Sequence, residues 1–67
     1  MIAEIDIWRS ANLMVRERGE NAALEAAQRA DAMLEQGDTE GCAVWKRILR
    51  AIEELQREVP ESAARPN

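Results

Sequence analysis

Cys42, in the run Gly41-Cys42-Ala43-Val44-Trp45, is the residue here best placed for covalent chemistry. It stands near the start of a helical pattern, where backbone N–H dipoles converge and suit an anionic nucleophile. A nucleophile also needs a base and a group to orient that base. The chain has no histidine, so the base would be a carboxylate such as Glu40, a poor proton acceptor at neutral pH. Cys42 also borders an apolar arc, where free cysteine behaves as a small buried hydrophobe. The expectation is an inert, buried thiol and no enzyme activity.

The other chemistry-bearing types lead no further. One cysteine cannot close a loop within its own chain. Without histidine or a cysteine pair there is no zinc-ligand set, and no calcium loop of alternating acids occurs. No cofactor or metal is expected. The acid pairs Glu53-Glu54 and Asp38 with Glu40 read as solvated surface, the usual place for such residues. Trp8 and Trp45 have the flat faces that stack on bases, but their helical phase points inward and marks them as core anchors.

Charge narrows the partner classes. Thirteen acids stand against nine bases, a net charge of −4. Residues 19–37 carry most of it, with Glu20, Glu25, Asp31 and Glu35 against Arg29 alone. Nucleic-acid binding depends on clustered Lys and Arg that release counterions, so no direct nucleic-acid partner is expected. An anionic membrane surface is disfavoured for the same reason. No apolar run reaches the length that crosses a bilayer, and the N-terminus lacks the basic and apolar regions of a secretory signal. The expected location is cytoplasmic.

Sixty-seven residues suffice for one domain, in which apolar burial and ordering entropy nearly cancel. Tight helix packing or association with another chain must supply the rest.

Three helices position these residues. The first spans about 3–18, with Ile5, Trp8, Ala11 and Val15 on its inner arc and Ile7 and Met14 flanking. Gly19 stops it. Asn21 caps the second, about 21–36, in which Ala22, Ala23, Ala26, Ala27, Ala30 and Ala32 supply the strongest helix former. Its inner face is Ala23, Ala26, Ala27, Ala30, Met33 and Leu34, and Gly37 ends it. Asp38 or Thr39 caps the third, about 39–58, which buries Gly41, Trp45, Ile48, Leu49, Ile52 and Leu55. Pro60 stops it, because the residue before proline avoids helical geometry, and residues 60–67 read as a disordered tail. On the outer face, Arg50 with Glu54 and Glu53 with Arg57 are spaced to pair.

Short glycine joints make consecutive helices antiparallel. The predicted fold is therefore all-α: a compact up-down-up three-helix bundle in residues 1–59. Equal helical rise sets Trp8 level with Ala30, and Ala30 with Trp45. It also aligns Met33 with Cys42, making the alanine-rich second helix a slender central layer.

The residues Ile7-Trp8, Arg18-Gly19-Glu20, the alanine-rich second helix, Gly37-Asp38, Gly41 and Trp45-Lys46-Arg47-Ile48 resemble a group of short helical proteins of unknown function from proteobacterial genomes. The likeness covers roughly residues 5 to 57. It implies a bacterial cytosolic protein and carries no functional residues with it.

Apolar residues on polar faces are the remaining signal. Ile2 and Leu13 fall on the outer side of the first helix, and Leu24 falls among Gln28, Asp31 and Glu35 on the second. A patch of this kind clamps helices together or seats a partner. The functional expectation is a small protein-interaction or regulatory module that binds another protein or a second copy through Ile2, Leu13 and Leu24, or through Glu25, Asp31 and Glu35. The alternative is an acidic inhibitor of a nucleic-acid enzyme, of the phage-defence antagonist type, whose carboxylates imitate phosphate.

Overall fold

A computed structural model describes the backbone of residues 2–64 and the side chains of residues 2–57. It is compact and all-α: α1 (Glu4–Arg18), a 3-10 turn (Gly19–Asn21), α2 (Ala22–Glu35) and α3 (Thr39–Ala64), with no strand among the described residues.

The helix ends follow local chemistry. Glu4 and Asp6 lie in the first turn of α1 and Arg16 and Arg18 in its last, each sign at the end of the dipole that favours it. Gly19 stops α1 at φ 56°, and Gly37 turns the chain after α2 at φ 82°, a region that L side chains rarely enter. Asp38 caps α3: its Oδ1 accepts the Gly41 N–H at 2.8 Å, and its carbonyl accepts the Cys42 N–H at 3.0 Å. Gly41 makes room for that cap. A Cβ there would lie 2.6 Å from Asp38 Oδ2 and 2.9 Å from Met33 Sδ.

Two expected ends differ. Asn21 does not cap α2 with its side chain, because it is the last residue of the 3-10 turn and already has helical φ and ψ. Nor does α3 stop before Pro60; it continues to Ala64. Proline's fixed φ is helical, although its ring crowds the carbonyl one turn back and it lacks an N–H, and Glu61, Ala63 and Ala64 beyond it are good helix formers. The tail expected at 60–67 ends in residues 65–67, which lie outside the described residues.

The core is a cluster of Ile7, Ala11, Ala22, Ala26, Ile48, Ala51 and Ile52, with Trp8, Met14, Trp45 and Leu49 among the partly buried side chains packed on it. Ile7 and Ile52 are its largest fully buried side chains. The helix that unites the layers is α3, not α2 as the alanines suggest: α1 and α2 each pack mainly on α3 and touch one another little.

Direction follows from particular contacts. Arg29 of α2 lies over Trp45 and Met33 lies beside Gly41, so α2 runs against α3 within a residue of the expected register. Arg47 Nη2 donates to Glu4 Oε1 at 2.7 Å and Gln56 Nε2 to the Gly19 carbonyl at 2.9 Å, so α1 and α3 run the same way. The Gly19–Gln56 contact keeps the expected level, but the N-terminal part of α1 is displaced. Trp8 shares a groove with Arg50 and Ala51, more than a turn along α3 from the Trp45 level expected. The 3-10 turn separates α1 from α2, so α1 does not fold back tightly about Gly19.

The phase of α1 also differs. Ile7 is buried at 2% exposure while Ile5 is 59% exposed; on α2, Leu34 is likewise exposed. The tryptophans are half-buried rather than fully enclosed. On α3 the pairing expected across Arg50–Glu54 and Glu53–Arg57 is replaced by Arg57 Nη1 to Glu54 Oε1 at 3.3 Å.

Candidate interaction surface

Between α1 and α2 the small α2 side chains leave a surface groove of about 240 Å³, with Met14 and Trp45 in its wall and Leu13 at its edge. Its polar side is organised by Glu25. That carboxylate pairs with Arg18 across the joint at 3.1 Å and with Arg29 one turn along at 3.0 Å. The Arg29 guanidinium in turn lies 5.2 Å from the centroid of the Trp45 ring. One charge chain therefore links α1, α2 and α3 at the solvent boundary.

Leu13 is 53% exposed and Leu24 59% exposed. Leu13 reaches the groove directly, and Leu24 precedes Glu25 on the outer side of α2. Asp31 and Glu35 are exposed and follow Leu24 at helical spacing on that same outer face. Five of the six residues singled out in the sequence belong to α1 or α2, and of these only Leu13 and Glu25 line the groove. Ile2 does not: it is partly buried against the core, beside Glu40, Val44 and Arg47 on the side of α3 that receives α1. The chain ahead of α1 is extended at Ala3, so helical phase does not apply to Ile2.

Sequence reasoning missed Met14, Arg18, Arg29 and Trp45 as parts of this surface. The Glu25–Arg29 pair has a readable signal in its spacing of four. Arg18 and Trp45 reach Glu25 and Arg29 from other helices and leave no local signature.

Cys42 is buried at 6% exposure, the burial expected from its place beside the apolar arc. Among the described residues no three acid, cysteine or histidine side chains gather as a metal set. Among the described residues no buried side-chain polar atom lacks a partner. What the α1/α2 side offers is apolar contact area framed by charge, the material of a binding face. Comparison with family models, with curated proteins and with solved structures found no match to this chain.

Proposed function

We propose that this chain is a cytoplasmic, non-catalytic interaction module, an up-down-up three-helix bundle that binds another protein through its α1/α2 side. The observation that carries this reading is the exposure of Leu13 and Leu24, at 53% and 59%, beside a core closed without either of them. Scattered exposed leucines are ordinary. Leu13 borders the α1/α2 groove, and Leu24 lies on the outer face of α2 with Asp31 and Glu35, which favour a basic partner segment carrying an apolar anchor. A second copy is the less complementary occupant, since α2 packed on α2 would bring the acids of both copies together.

Phosphate mimicry has weaker support. Glu25, which lines the groove with Glu17, is held between Arg18 and Arg29, which cancels much of the field that such mimicry requires.

Affinity capture tests the proposal. The tagged full chain should retain a partner that the doubly substituted Leu13→Ser/Leu24→Ser chain does not, while both chains have the same circular dichroism. Equal capture by the two would refute the assigned face. Capture that survives raised salt points to an apolar contact, and release at modest salt to a charge contact.

A further inference from the structure

A single residue bends the chain between α1 and α2. Arg18 and Asn21 flank the joint in the right-handed helical region, at φ −110°, ψ −15° and φ −88°, ψ −2°, and Glu20 lies between them in the 3-10 turn. Gly19 alone departs, at φ 56°, ψ −124°, a region that glycine enters freely and other residues avoid. A Cβ at Gly19 would meet nothing within 4 Å, so the glycine serves the bend and not a close approach. Gly19, Glu20 and Asn21 are all exposed. Turning Gly19 to helical angles therefore joins α1 and α2 into one helix, Glu4–Glu35, with no side chain of the joint to unpack.

Straightening takes α1 off α3. Because α2 runs against α3, a straight helix carries Ile7 and Ala11 past the Gln56 end of the bundle, away from Ile48, Ala51 and Ile52, the α3 members of the core they share. Little contact with α2 holds α1 back. Its ends are fastened by exposed polar contacts, Glu4 to Arg47 and the Gly19 carbonyl to Gln56. The seat that α1 leaves on α3 has a complement of known shape, which is α1 itself.

We infer that Gly19 is a hinge through which two copies of this chain exchange α1. Each α1 lies on the α3 of the other copy, where Ile7 and Ala11 refill the core and Glu4 pairs with Arg47. The pair closes with two-fold symmetry, since each copy gives the element that it receives. α3 continues to Ala64, beyond the level of Gln56 and Gly19, so about two turns of each α3 span the junction where the two bundles meet end to end. The α1/α2 groove is then built from both copies, with Leu13 and Met14 from one and Glu25, Arg29 and Trp45 from the other.

Sedimentation of the natural chain and of Gly19→Ala tests the hinge. Alanine favours the helical joint about fivefold over glycine, and a dimer has two joints, so the dimer dissociation constant should fall at least about 25-fold. Mixing two Gly19→Ala chains, one with Glu4→Arg and one with Arg47→Glu, identifies the exchanged element. Only a heterodimer with exchanged α1 restores both ion pairs, and native mass spectrometry should find it above the half expected of random pairing. A Gly19→Ala chain that stays monomeric at millimolar concentration, folded or unfolded, would overturn the inference, because the exchanged form holds alanine there without strain. Random pairing, or preference of each mixed chain for itself, would overturn it as well.

Discussion

Arg29 and Trp45 face one another across the α2–α3 seam, guanidinium to ring, 5.2 Å from carbon to centroid. The contact lies at the register of the α2–α3 hairpin and sits on the partly buried Trp45. A cation over an indole contributes about 0.5–1 kcal/mol at an exposed site. Arg29→Met with Trp45→Leu in a double-mutant cycle should give a coupling of that size by urea unfolding, and a coupling of zero would make the stacking incidental. Because Trp45 is half-buried, Trp45→Ala should cost about 2–3 kcal/mol, below the ~3–5 kcal/mol of a fully enclosed aromatic.

Asp38 and Gly41 form a second coupled pair. Alanine at position 41 gains about 1 kcal/mol of helix propensity, but its Cβ would meet the Asp38 carboxylate at 2.6 Å and displace the cap, a loss of about 1 kcal/mol. Met33 must move as well. Gly41→Ala should therefore be neutral to destabilising in the natural sequence and stabilising in an Asp38→Ala background. Thermal unfolding of the four chains checks this, and the same sign in both backgrounds would show that Gly41 does not serve the cap.

Ile7 and Ile5 separate core from surface within one turn of α1. Ile7→Ala should cost about 2–4 kcal/mol, the range of a buried isoleucine truncation. Ile5→Ala should fall within about 0.5 kcal/mol of the natural chain. Urea unfolding of both variants distinguishes them, and the opposite order would restore the helical phase read from the sequence.

That pair also shows where sequence reading stops. Gly19, Gly37 and Asp38 act through their own backbone geometry, so the breaks between helices and the cap of α3 can be read locally. The α2–α3 register follows from a tight three-residue joint, Gln36–Asp38, and is correct to within one position at Arg29 and Met33. In α1 apolar residues cover half the circumference, so Ile5 and Ile7 have equal claims until α3 is in place. Trp8 nonetheless lies displaced along α3 although Gly19 meets Gln56 at the expected level, and no residue type announces that displacement. Leu13 and Leu24 are recognisable as apolar misfits on the polar faces of their own helices. Arg18 and Trp45 join them only through tertiary contacts.

The claim that most needs testing is that Leu13 and Leu24 are superfluous to folding and therefore free for a partner. Equilibrium urea unfolding of the Leu13→Ser/Leu24→Ser chain addresses it directly. The account predicts a stability within about 0.5 kcal/mol of the natural chain, as for surface changes generally. A loss of about 2 kcal/mol or more, the scale of core truncation, would place both leucines in the fold and contradict the proposed binding face.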